Sequence, residues 1–203
     1  MKVGLDFDNT IVRYDSLFHK VALESGLIAA DIPVNKLAVR DHLRRIGRED
    51  DWTEMQGTVY GGRMEEAEMF PGVLDFLRWA KEEDGVCVFI ISHKTRHPFR
   101  GVQHDLHAAA RGWVERWLEE TIPSDQIFFE LTKEEKLARI GACGCDLFLD
   151  DLPEILTAPG FPAATDRLLF DPEGHHKTAE GLTIIGNWTD FREHVAERCR
   201  TRS

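Results

Sequence analysis

The chain has 203 residues, 42% of them hydrophobic and 30% charged, with a formal net charge of -11 and a pI near 5.3. That length and composition suit one compact α/β domain, with room for a small appended lobe. The acidic balance argues against a general nucleic-acid binder. No apolar run is long enough to span a bilayer, and the first residues lack a basic-then-apolar leader profile, so the expected setting is the cytoplasm.

The four cysteines, Cys87, Cys143, Cys145 and Cys199, form no framework of regular spacing. Cys143-Gly144-Cys145 with His175-His176 lacks the paired spacing of a zinc site, so reduced thiols are expected.

Taken in order, the chain opens with Lys2-Val3-Gly4-Leu5, a short apolar run that stops at Asp6-Phe7-Asp8-Asn9-Thr10. This pattern predicts a buried strand emptying into a polar loop. Residues two apart on a strand share a face, so Asp6 and Asp8 begin on the same side. Two carboxylates that close repel each other, and a hard cation with oxygen ligands relieves the repulsion.

Helical spacing follows twice. Leu17, Val21 and Leu23 lie between Ser16 and Gly26; Leu37, Val39, Leu43 and Ile46 lie between Asn35 and Gly47. Met55, Val59 and Tyr60 continue the period until Gly61-Gly62-Arg63 breaks it. Helices without a strand between them predict a helical lobe over residues 13–69, inserted into a core of 1–12 and 70–203.

Val73, Leu74, Leu77 and Trp79 give the next helix an apolar face, ended by Asp84-Gly85. Val86 to Ile91 is apolar throughout, as a parallel strand covered on both faces requires, and it ends in Ser92. His93-Lys94-Thr95-Arg96-His97-Pro98-Phe99-Arg100 then gathers cations. A helix is predicted over Leu106–Leu118 and a strand over Ile127–Leu131. Thr132 with Glu135 three residues on is a capping box for a helix carrying Lys133 and Lys136. Leu147-Phe148-Leu149 is a strand ending in Asp150-Asp151. Arg167–Phe170 and Leu182–Ile185 read as late strands, and Asn187 starts the last helix. Strands alternating with helices predict a doubly wound parallel sheet, whose ligands sit outside the carboxyl ends of the strands.

Four stretches in this order carry a resemblance: Asp6-Phe7-Asp8-Asn9-Thr10, Ser92 after its strand, the lysines opening the Thr132 helix, and Asp150-Asp151. They resemble the four motifs of the haloacid dehalogenase (HAD) superfamily of phosphatases and phosphotransferases. The resemblance covers roughly residues 1–155 and implies a Rossmann-like core, with the helical lobe as a cap of the first type. It implies Asp6 as nucleophile, Asp8 as general acid and base, Ser92 as a phosphoryl contact, and either Lys133 or Lys136 as the neutralising lysine. It implies Mg2+ held at Asp6, the main chain of Asp8, and the Asp150-Asp151 pair. Asp151 is then a direct ligand, and Asp150 holds the lysine or a metal-bound water.

The expected activity is a Mg2+-dependent phosphomonoesterase acting on a small phosphorylated metabolite. Asn9, Thr10, His93, Lys94, Arg63 and Arg96 are the candidates for binding the substrate. A phosphotransferase or mutase would keep every motif. A nucleic-acid end phosphatase is supported only by the Lys94–Arg100 cluster. A non-catalytic phosphate-binding module fits least, because the nucleophile and its partners are all present.

Overall fold

The computed structural model describes residues 1–176 and 181–202. In chain order the strands and helices are β1 (Lys2–Leu5), β2 (Val12–Arg13), α1 (Asp15–Glu24), α2 (Lys36–Arg45), α3 (Glu49–Gly57), β3 (Glu68–Met69), α4 (Val73–Glu82) and β4 (Cys87–His93). Then come α5 (Leu106–Leu118), β5 (Ile127–Glu130), α6 (Lys133–Cys143), β6 (Leu147–Asp150), α7 (Pro153–Leu156), β7 (Asp166–Phe170), β8 (Thr183–Ile185) and α8 (Trp188–Arg202). A π-helical turn, Thr58–Gly62, continues α3. The short strands β2 and β3 pair with each other and were not legible in the sequence.

The chain divides into two compact units: Met1–Ile11, Met69–His93 and Leu118–Ser203 form one, and Val12–Glu68 with Lys94–Trp117 the other. The first is built on a six-stranded sheet in the order β5-β4-β1-β6-β7-β8. Every adjacent pair runs parallel, as the strand–helix alternation predicts. A parallel sheet must be covered on both faces. Ile91, Phe148 and Leu169 pack in one buried cluster with Leu137 and Ile140 of α6 and Ile155 and Leu156 of α7. A second, aromatic cluster joins α4 and α8: the Phe76 ring lies 4.8 Å from Phe191 and 5.5 Å from Trp188, and Phe170 lies 6.0 Å from Trp188. Helix α4 reaches it because Val73, Phe76, Leu77 and Ala80 fall on one face at helical spacing.

One close approach inside the sheet demands glycine. A Cβ on Gly4 would overlap the ring of Phe148 on the neighbouring strand and lie 2.9 Å from Cys145 Sγ. The first strand, which leads into the two acids, can therefore lie flush against β6 only without a side chain at this position.

The second unit is helical. Its core is aromatic: Phe18 stacks on Trp52 at 4.9 Å, and Tyr60 meets Tyr14 edge-on at 4.9 Å and Phe18 at 5.5 Å. The expected lobe of 13–69 is enlarged by residues 94–117, which the sequence reading left in the core. The reason is packing. Any side chain at Gly57 would come within 2.7 Å of Pro98, one at Gly61 would run into His104, and Trp113 Nε1 donates to Ala67 O at 2.9 Å. No helix among the described residues is long and apolar enough to cross a membrane.

Candidate active site

The site is assembled in the sheet unit by strand register. Leu5 of β1 pairs with Ile90 of β4 on one side and with Leu149 of β6 on the other. One residue further, Asp6 and Asp150 stand level on adjacent strands, and Asp6 N donates to Leu149 O at 2.9 Å. Paired positions on neighbouring parallel strands face the same way, so their carboxylates converge. Ser92, buried, ends the functional run of β4 on the other side of β1. The acids and Ser92 thus lie at the carboxyl ends of the three central strands, where ligands of such sheets bind.

Two adjacent buried carboxylates need a cation, and α6 supplies it. Thr132 caps the helix: its Oγ1 accepts from Glu135 N at 3.1 Å, and Glu135 Oε2 accepts from Thr132 N at 3.0 Å. One turn in, Lys136 Nζ donates to Asp6 Oδ1 at 2.5 Å and to Asp150 Oδ2 at 2.6 Å. Lys136 is 2% exposed. Lys133 instead lies at the surface, paired with Glu154 at 3.1 Å. The structure therefore separates the two lysines that the sequence left equivalent. Asp150 holds the lysine, and its other oxygen accepts from Leu152 N at 2.9 Å, a turn that leads into Pro153 of α7. The Asp-Asp-Leu-Pro run carried the signal for that turn.

Burial pushes the Asp6 carboxyl up to about 7; Lys136 opposes the rise, while Asp150 and Asp8 add to it. Although burial works against its charge, Lys136 is held above the usual lysine range by Asp150 and Asp6. It stays an ammonium. Asp8 lies near enough to both Asp6 and His93 to raise their pKa values. His93 is half-buried, and burial together with Lys136 and Lys133 lowers its pKa. Asn9 adopts a left-handed backbone with φ of 58°, which asparagine tolerates better than most residues, and Ile11 N closes the turn on Phe7 O at 3.1 Å. Thr10 is fully buried, and its carbonyl accepts from Trp188 Nε1 at 3.2 Å. That bond anchors the loop to α8.

Among the described residues, the group able to hold a metal is Asp6, Asp150 and Asp151, whose ligand oxygens lie within 4.8 Å of one another. A set of carboxylate oxygens alone suits a hard divalent cation such as Mg2+. The side chain of Asp8 is outside this group, in keeping with a main-chain role toward a metal. The cysteines do not join it: all four are free thiols, and burial pushes Cys145 up to about 12.

No family model matches the sequence, and no curated protein does. Solved structures do match. A HAD-superfamily hydrolase from Ehrlichia chaffeensis superposes with a TM-score of 0.56 at 13% identity, covering 97% of this chain and 96% of that one. The HAD-hydrolase YfnB from Bacillus subtilis, solved bound to magnesium, gives 0.56 at 16% identity over 95% and 97%. An L-2-haloacid dehalogenase from Xanthobacter autotrophicus gives 0.54 at 12% identity over 97% and 98%. The chain has the HAD hydrolase fold.

The remaining predicted residues lie in the helical unit, outside the sheet part of this HAD fold. Arg63 was expected to hold the remote part of a substrate. Its guanidinium instead donates to Glu66, three residues on, and to Glu24 at 2.7 Å. These hydrogen bonds to Glu66 and Glu24 also raise its pKa further. Arg96, expected at the rim, pairs with Asp105 at 2.8 Å, and Arg100 with Asp50 at 2.7 Å. Arg96 and Arg100 are thus matched by acids of their own unit. Lys94 is buried, with its ammonium 4.9 Å from the centre of the Tyr60 ring.

Proposed function

We propose that the chain is a Mg2+-dependent phosphomonoesterase acting through an aspartyl-phosphate on Asp6. The observation that carries this reading is Lys136, buried and bonded to Asp6 and Asp150 at once, beside a third carboxylate, Asp151. A lone ammonium among three acids leaves negative charge in excess, which a bound divalent cation offsets. Asp6, Asp150 and Asp151 would hold that cation, which when bound neutralises phosphoryl oxygens and positions them.

The protein's own groups supply the remaining chemistry. A carboxylate oxygen of Asp6 forms a bond to phosphorus while the ester P–O bond breaks. Asp8 gives its proton to the departing alkoxide. In the second half, Asp8 takes a proton from water, water oxygen bonds to phosphorus, and the Asp6 ester bond breaks to free inorganic phosphate. Lys136 counters charge on the nucleophile and on a phosphoryl oxygen, and the Ser92 hydroxyl donates to another. Asp8 favours phosphate over halide chemistry, since the motif of the dehalogenating relatives lacks the second acid. Removal of a halide also needs no proton donor to the leaving group. The ion pairs of Arg96 and Arg100 weigh against the nucleic-acid-end reading, which rested on the Lys94–Arg100 cluster. The helical unit remains, in this reading, the selective cap.

The test is a screen of phosphorylated metabolites and haloacids, with Mg2+ and with EDTA. Phosphate release that needs Mg2+ supports the reading. Halide release, or phosphate release that survives chelation, overturns it. An alcohol acceptor that becomes phosphorylated while no phosphate appears would make the enzyme a phosphotransferase.

A further inference from the structure

The far end of the sheet, away from the strand tips that hold the acids, gathers three thiols. Strands β1 and β4 begin there side by side: Lys2 pairs with Cys87, and Cys87 N donates to Met1 O at 2.9 Å. Paired positions on neighbouring parallel strands face the same way, with the strands about 4.8 Å apart. The residues that follow fix which face this is. Gly4 and Phe89 are the next paired positions on it, and Phe89 packs against the buried cluster of Phe148, Leu137 and Ile140. Cys87 therefore stands on the side of the sheet that α6 covers.

Helix α6 ends at the same place. Cys143 is its last residue and packs against the same cluster. It follows Lys136 by about two helical turns, so it returns to the helix face that Lys136 turns to the sheet. Lys2 Nζ donates to Cys143 O at 2.9 Å. The Lys2 side chain thus starts beside Cys87 and ends at Cys143, which brings two half-buried thiols together. Cys87 in turn acts on the charge of both other thiols. Cys145 differs in its setting. The left-handed Gly144 ends the helix, and Cys145 turns inward, 3% exposed, with its Sγ against Gly4.

We infer that Cys87 and Cys143 are a modification site, a thiol pair that a low-molecular-weight disulfide oxidises to an intramolecular bridge. In the first step Cys87 gives its proton to solvent, and its thiolate attacks one sulfur of the reagent. A bond forms between Cys87 and that sulfur, the reagent's S–S bond breaks, and one thiolate leaves. In the second step Cys143 loses its proton to solvent and attacks the Cys87 sulfur, which releases the second thiolate. The two cysteines are oxidised, and the disulfide is reduced to two thiols. Burial raises the Cys143 thiol, which suits it to the second step, where proximity stands in for a large thiolate fraction. The bridge joins the far end of the helix that carries Lys136 to the far end of the strand that carries Ser92. It therefore fastens two of the elements that build the candidate active site.

The test is to incubate the folded full-length protein with oxidised glutathione at mildly alkaline pH. Remaining thiols are blocked with N-ethylmaleimide, and disulfides are mapped by mass spectrometry of unreduced proteolytic peptides. A peptide pair joined through Cys87 and Cys143 is expected, and dithiothreitol should release it. Cys87→Ser and Cys143→Ser should each abolish the pair, and Cys143→Ser should retain glutathione on Cys87, the trapped first step. Cys145→Ala and Cys199→Ser should keep the pair. Circular dichroism checks that each variant folds, and the alanine variant replaces any serine variant that does not. Glutathione on single cysteines with no joined pair, a bridge to Cys145 or Cys199, or a bridge formed only after unfolding in urea would overturn the inference. None of these outcomes depends on turnover, so the phosphatase reading stands or falls separately.

Discussion

The two units of this molecule differ in their ion pairs: the sheet unit has exposed pairs, such as Lys133–Glu154, and a buried charged cluster besides. In the sheet unit, Asp6, Lys136 and Asp150 are paired with side-chain exposures of 6%, 3% and 0%. In the helical unit most ion pairs lie in water: Arg44 and Glu49 are 50% and 52% exposed, Arg100 and Asp50 53% and 74%. Exposed pairs contribute about 0–1 kcal/mol and are tolerant of change. Burying three charged groups costs several kcal/mol per ion before pairing offsets it, so such a cluster is weak evidence for stability and strong evidence for use. The contrast teaches where to expect chemistry and where to expect scaffolding.

The largest effect should come from the buried cluster. Asp6→Asn removes the nucleophile, and phosphate release should fall to background with the fold retained. Lys136→Met should lower turnover by roughly 10²–10³-fold, the range for loss of one charge-stabilising donor. It should also destabilise the protein by about 3–5 kcal/mol, because two buried carboxylates lose their shared partner. The control lies three residues away. Lys133→Met cuts only an exposed pair with Glu154 and should change neither rate nor melting temperature measurably. Comparable losses at both lysines would erase the distinction between the buried and exposed pairs.

Asp8→Asn comes next. Loss of general acid–base catalysis typically costs about 10²–10⁴-fold, and the deficit should shrink in the first step for p-nitrophenyl phosphate, whose leaving group needs no proton. Rapid-quench measurement of p-nitrophenol appearance separates the two steps. A smaller, purely structural effect is expected at Gly4. Gly4→Ala forces Phe148 and the first strand apart and should destabilise by about 1–3 kcal/mol in urea unfolding. The smallest effect is reserved for Arg63→Ala: removing a surface-facing cluster with Glu24 and Glu66 should cost about 1 kcal/mol or less. It should leave kcat/KM for any phosphate ester unchanged. A selective loss on a large substrate would bring Arg63 back as a ligand.

What was legible in the sequence follows the same division. The acids at strand ends could be read because a buried parallel strand is an unbroken apolar run, and its end is marked by the first charge. The two lysines could not be separated, because Lys133 lines up with Leu137 and Lys136 with Ile140, each four residues on and each buried. Only the third dimension shows which of the two rows faces the strand tips. Arg63 was read as a ligand from the glycines before it, whereas Glu66, three residues on, already offered the local pairing that the structure uses. The stretch 94–117 was left with the sheet because it follows a core strand. Its attachment rests on Gly57, Gly61 and Trp113 meeting residues far along the chain, and no local pattern records that.

The central claim is a phosphoryl group carried on Asp6. It is tested most directly by acid-quenching the enzyme during turnover of a phosphate ester in Mg2+ and sequencing the N-terminal proteolytic peptide by mass spectrometry. The account predicts phosphate on Asp6, accumulating further in Asp8→Asn, where water is no longer activated, and absent from Asp6→Asn. Phosphate on Asp8, or steady turnover with no covalent species even in Asp8→Asn, would contradict it.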